Sequence, residues 1–154
     1  MNIADLLAPR AVVAQLRAGS KKQVLQEIAR RAAPLIEVPD RRIYEVLAER
    51  ERLGTTGIGK GVAVPHGKLP ELTRLWGMFA RLERPVLFEA VDDQPVDLVF
   101  MLLAPAEAGA EHLRALARVS RLLRDEAICQ KLRGTDNQDA LYALLADRTE
   151  TSAA

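Results

Sequence analysis

The chain has 154 residues, 49% hydrophobic and 28% charged, with 22 Lys and Arg against 21 Asp and Glu and a formal net charge of +1. That length makes one ordinary domain with a core of its own. The balanced charge gives no ground for a nucleic-acid or anionic-membrane partner, and an aromatic content of 4% leaves few platforms on which bases could stack.

Residues 2–7 read as a short helical turn that stops at Pro9, and Val12-Val13 as a short strand. Ser20 is a helix N-cap, because its side-chain oxygen can accept from a free amide of the first turn. Val24, Leu25, Ile28, Ala29 and Ala32 follow at helical spacing, and Pro34 is expected to end that helix. Asp40 is expected to cap the next helix, whose apolar stripe is Ile43, Val46 and Leu47. The charged run Arg50-Glu51-Arg52 ends it, and Gly54 suits a left-handed C-terminal cap.

A glycine-rich segment comes next. Four of the nine glycines fall between residues 54 and 61. Val62-Ala63-Val64 reads as a short buried strand closing at Pro65, Trp76 to Leu82 as another, and Val96 to Leu103 as a third. The third is apolar at nearly every position, as a central strand covered on both faces is. A helix is expected from Glu111 to Arg124, with Leu113, Leu116, Ala117, Leu122 and Leu123 as its apolar face. Helical patterns return at 126–132 and 139–146, the latter with Thr135 or Asp136 as cap. Helices and strands alternate, which predicts an α/β fold: one domain, 1–148, with helices on both faces of a sheet, and a disordered tail, 149–154. The N-terminus lacks a basic region followed by an apolar stretch. The longest apolar run, Leu98 to Pro105, has strand length, far short of the ~18 residues that span a bilayer. A cytoplasmic protein without membrane insertion is expected. The single cysteine, Cys129, allows no internal disulfide and reads as a packed thiol.

The chemistry concentrates at residues 54–67. Gly54 to Lys60 fits the first seven positions of a phosphate-binding P-loop, but Gly61 stands where that loop needs Ser or Thr for Mg²⁺. The context is also reversed, since this segment follows a helix and enters a strand. Gly57, Gly59 and Gly61 do not match the dinucleotide fingerprint either. His66, between Pro65 and Gly67, is one of only two histidines. A neutral imidazole is a competent nucleophile toward phosphorus near neutral pH, and backbone amides with the Thr55 and Thr56 hydroxyls could hold phosphoryl oxygens. The second histidine, His112, opens a predicted helix. If the fold brings it to His66, it can hydrogen-bond the same group. A two-histidine metal site lacks the third and fourth ligands.

Arg50-Glu51, Gly54-Thr55-Thr56-Gly57-Ile58-Gly59 and Val62-Ala63-Val64-Pro65-His66-Gly67 together resemble the phosphorylation-site signature of the mannitol/fructose-type enzyme IIA family of the bacterial phosphotransferase system. The resemblance extends through the Pro95–Phe100 strand and the Glu111-His112-Leu113 helix start. It implies the IIA fold, a single three-layer domain with a mixed sheet of about five strands flanked by helices on both faces, and a phosphocarrier in which His66 takes a phosphoryl group from the histidine-containing phosphocarrier HPr or a nitrogen-branch relative. His112 would assist by hydrogen bonding and Arg50 would offset phosphoryl charge. Thr55, Thr56, Gly57 and Gly59 would form the phosphoryl-binding loop, with no metal and no cofactor. Lys60 departs from the pattern, standing where many relatives carry Asn or another polar residue. His66-Gly67-Lys68-Leu69 and Phe79-Ala80-Arg81-Leu82 resemble the nitrogen-regulatory branch, whose phosphorylation state controls regulatory targets, among them potassium transport or a sensor kinase. The alternatives are a sugar-specific IIA that passes phosphate to a IIB domain, and a regulatory binding module that is never phosphorylated.

Overall fold

The computed structural model describes residues 2–153, with side chains through Ala146; the expected tail, 149–154, lies outside those described side chains. Short 3-10 turns at Ile3–Asp5 and Pro9–Ala11 lead into β1 (Val12–Leu16). Helices α1 (Lys21–Ile36) and α2 (Asp40–Arg52) precede β2 (Gly57–Gly59), β3 (Val62–Ala63) and β4 (His66–Lys68). Two long strands, β5 (Trp76–Val86) and β6 (Val96–Ala104), are followed by α3 (Gly109–Leu122), α4 (Glu126–Arg133) and α5 (Gln138–Ala153).

The strands form one mixed six-stranded sheet, ordered β1-β5-β6-β3-β2, with β4 also paired to β6. Eight of the nine β6 residues are buried and only Asp97 is partly exposed, so both of its faces are covered. Helix α1 lies against β5 and α2 against β4; α3 and α4 lie against β6, and α5 against β1. The α/β reading with a central apolar strand holds. Among the described residues no helix is long and apolar enough to cross a membrane.

Several local expectations need correction. Ser20 caps α1 through Gln23 N–H at 3.2 Å, but the helix runs past Pro34 to Ile36. Proline's fixed φ is a helical value, so near the C-terminal end it removes one donor without stopping the chain. Pro39, not Asp40, is the N-cap of α2, and Asp40 sits in the first turn, where a negative charge suits the helix dipole. Gly54 stands at φ 154°, far from a left-handed cap. The buried stripe of α3 is His112, Ala115, Val119 and Leu122, whereas Leu113 is 69% exposed. Asn137, rather than Thr135 or Asp136, supplies the oxygen that receives Ala140 N–H at 2.9 Å. Cys129 is buried as expected; its thiol donates to the Leu123 carbonyl at 3.2 Å, and burial pushes its pKa up.

The glycine-rich segment is not a phosphate loop opening a helix. Its second half is a hairpin, in which β2 and β3 pair antiparallel around Lys60 and Gly61. Both turn residues have positive φ, 55° and 81°. Two-residue hairpin turns of that shape favour Asn before Gly, and this chain has Lys60 there. Here Lys60 makes an ion pair with Glu126 at 2.9 Å, and its N–H donates to Asp92.

Nor does the strand after the hairpin end at Pro65. Val62 and Ala63 pair with Leu98 and Val99; His66, Gly67 and Lys68 pair with Leu102, Leu103 and Ala104 in unbroken register. Only the hydrogen bonding is interrupted. Pro65 has no N–H to give, although its carbonyl still accepts from Leu102 at 2.9 Å, and Val64 N–H turns away to the Thr56 carbonyl at 2.9 Å. His66 therefore begins a strand segment, on the pairing edge of β6.

Candidate active site

Gly67 explains how α2 reaches this edge. A Cβ there would lie 2.3 Å from Val46 Cγ1, so the missing side chain lets the helix pack directly on β4. Val46 and Arg50 are four residues apart and share a helix face. The packing that seats Val46 over Gly67 thus brings Arg50 to His66.

Arg50 Nε lies 3.2 Å from His66 Nε2, and Arg50 Nη1 donates to the Gly54 carbonyl at 2.9 Å. On the other side of the ring, His66 Nδ1 is 2.8 Å from the Val64 carbonyl. A carbonyl can only accept, so Nδ1 carries the proton. Nε2 then holds the lone pair, which suits it to receive Arg50 N–H. The two contacts specify one neutral tautomer. Burial pushes the His66 pKa below the ordinary imidazole value; the Val64 hydrogen bond opposes this, Arg50 adds to it, and Glu51 opposes it weakly. The ring is neutral, and hence nucleophilic, at neutral pH.

His112 is 7% exposed, in the first turns of α3. Its ring centroid is 5.6 Å from that of His66, with the planes at 79°. Its Nε2 is buried and has no hydrogen-bond partner among the described residues. An unsatisfied buried polar atom costs about 1–3 kcal/mol, so one beside a reactive ring points to a ligand group that would meet it. Burial lowers the His112 pKa most, followed by the charge repulsion of His66 and Lys68.

The structure thus brings together His66, His112 and Arg50. The loop residues are differently engaged. Thr55 Oγ1 donates to the Phe88 carbonyl at 3.0 Å and accepts Gly57 N–H at 3.0 Å. The Thr56 side chain donates its hydroxyl to Glu51, and Thr56 is buried. The Gly57 carbonyl accepts from Val91 at 3.2 Å, and Gly59 pairs with Val62. In this conformation the loop's hydroxyls are engaged internally, and the segment acts as a frame around the site.

Two residues that sequence reasoning gave no role belong here. Lys68 is two positions after His66 on β4, hence on the same side of the strand, and its charge acts on His112. The signal was the His-x-Lys alternation. Glu51 is the other. It stands in the quoted signature, but only the fold shows what it holds. Among the described residues no group of three or more His, Cys, Asp or Glu side chains could hold a metal ion.

The comparisons with known proteins agree on the family. The profile described as "Phosphoenolpyruvate-dependent sugar phosphotransferase system, EIIA 2" matches residues 5–148. The chain is 56% identical to the nitrogen regulatory protein of Bradyrhizobium diazoefficiens over 99% of this chain and 100% of that protein. The crystal structure of nitrogen regulatory protein IIA-Ntr from Neisseria meningitidis superposes with a TM-score of 0.87 at 33% identity, covering 93% of this chain and 98% of that one. The IIA mannitol structure from Escherichia coli shares the fold, with a TM-score of 0.77 at 21% identity over 90% and 98% of the two chains.

Proposed function

The chain belongs to the phosphoenolpyruvate-dependent sugar phosphotransferase system EIIA 2 family, and from that membership we propose that it is a regulatory phosphocarrier, accepting a phosphoryl group on Nε2 of His66 from HPr or a nitrogen-branch relative. The observation that carries the proposal is the fixed tautomer: Nδ1 is held by the Val64 carbonyl, and Nε2 faces Arg50. The full-length similarity to a nitrogen regulatory protein supports the regulatory branch over the sugar-uptake branch. Targets in potassium transport or a sensor kinase, and a cytoplasmic location, follow from that branch.

The reaction is in-line transfer between two imidazoles. The donor's P–N bond breaks and its electron pair returns to the donor ring. The Nε2 lone pair of His66 forms the new P–N bond, and the proton stays on Nδ1, which goes on donating it to the Val64 carbonyl. Arg50 Nε is displaced from Nε2 and moves to a phosphoryl oxygen, where a guanidinium forks onto two acceptors. The buried His112 Nε2, protonated, hydrogen-bonds another oxygen. The protein contributes positioning and charge stabilisation.

The test is intact mass under mildly alkaline conditions after incubation with phosphoenolpyruvate, enzyme I and an HPr-type donor. One added phosphoryl group, lost on acid treatment, is expected. No added mass from cognate donors that are themselves phosphorylated overturns the proposal in favour of a binding module.

A further inference from the structure

One buried carboxylate has no part in the transfer scheme. Glu51 follows Arg50 in the last turn of α2, and its side chain is 6% exposed. A buried carboxylate is tolerated when it is both paired and hydrogen-bonded. Glu51 is both. Lys21 Nζ, at the start of α1, lies 2.7 Å from Oε2. Thr56 N–H is 3.2 Å from each carboxylate oxygen, and the Thr56 hydroxyl donates to Oε1.

These bonds continue to the reactive ring. The Thr56 carbonyl accepts Val64 N–H at 2.9 Å, and the Val64 carbonyl accepts from His66 Nδ1 at 2.8 Å. Val64 sits at the interruption between β3 and β4. Its amide is not committed to β6, and Pro65 has no amide to hold the next peptide. Thr56 lies between Gly54 and Gly57, so the loop has little stiffness of its own. What anchors Thr56 also anchors the Val64 carbonyl.

We propose that Glu51 is a positioning residue that acts through Thr56 and Val64 to hold His66 in the tautomer with Nδ1 protonated and Nε2 free for phosphorus. This builds on the reading of His66 as the phosphoryl acceptor. Glu51 has a second effect of the same sense: its negative charge raises the basicity of His66, against burial and Arg50. Lys21 pairs with that carboxylate and also lies 3.6 Å from Glu89 Oε1.

The test uses the whole, unphosphorylated chain with ¹⁵N-labelled histidine, so it needs no donor. Glu51→Gln removes the charge and keeps the shape. The His66 titration midpoint moves further below the wild-type value, and its ¹⁵N shifts move toward a mixture of tautomers. Lys21→Met leaves the carboxylate uncompensated, and the midpoint rises. Charge alone moves the midpoint in both variants; only a change in the ¹⁵N tautomer shifts reports the positioning role. With donor added, Glu51→Gln takes up phosphate about 10- to 100-fold more slowly, the loss that misplacement of a reacting atom brings. Unchanged ¹⁵N tautomer shifts in folded Glu51→Gln overturn the proposal, whatever the midpoint does. If that variant does not fold, the same ¹⁵N shifts are read in Lys21→Met, which frees the other side of the carboxylate, and unchanged shifts there overturn it. Failure of wild-type protein to take phosphate instead strikes the phosphocarrier reading, since the titration is read without transfer.

Discussion

Replacing His66 with alanine abolishes phosphoryl acceptance in the enzyme I and HPr-type assay, while the fold is retained. The side chain is half-buried at the start of β4, so its loss removes little of the core. It removes the Nε2 lone pair, for which the site has no substitute. His112 is 5.6 Å away between ring centroids, but its Nε2 is buried, and in the proposed scheme it binds an oxygen rather than attacks. His112→Ala therefore retains phosphorylation on His66 at a reduced rate, and only the His66 variant goes to zero. An acid-labile phosphoryl group on His66→Ala would transfer the nucleophile's role to His112 and overturn the assignment.

Arg50→Ala has the second-largest effect, slowing phosphoryl acceptance about 10²- to 10³-fold, the cost of removing one preorganised donor from a charge-developing site. Arg50 bridges His66 Nε2 and the Gly54 carbonyl through two nitrogens of one planar group. Arg50→Lys restores the charge without the fork and recovers only part of the rate. Single-turnover transfer from phosphorylated donor measures this directly. A wild-type rate in Arg50→Ala would make Arg50 a structural tether of the Gly54 turn.

What the sequence made legible was the periodic part of the fold and three residues that the fold brings together. The unbroken apolar run at 96–103 reads as a central strand because both of its faces need covering. Ser20 reads as a cap because its chemistry is local. His66 and His112 stand out as the two histidines of the chain, and Arg50 only through the long signature. The pairing of Leu113 with the core failed because the stripe of α3 runs through His112, and a histidine was not counted as an inward residue. The hairpin at 57–63 was hidden by its glycines, which signal backbone freedom without saying how the backbone pairs. The expectation that the Thr55 and Thr56 hydroxyls face a phosphoryl group could not be checked from sequence, because their partners, the Phe88 carbonyl and Glu51, are fixed only by the fold. The path from Glu51 to His66 was illegible for the same reason. It passes through the backbone carbonyls of Thr56 and Val64, and backbone groups leave no mark in a sequence.

The central claim is that phosphorus goes to Nε2 of His66 while Nδ1 keeps its proton and donates it to the Val64 carbonyl. The most direct test is nuclear magnetic resonance of the phosphorylated chain with ¹⁵N-labelled histidine, reading which ring nitrogen couples to ³¹P. Coupling at His66 Nε2, with a retained Nδ1 proton, is the predicted result. Coupling at Nδ1, or on His112, would contradict it, because the contacts that hold the ring would then have to be broken before transfer.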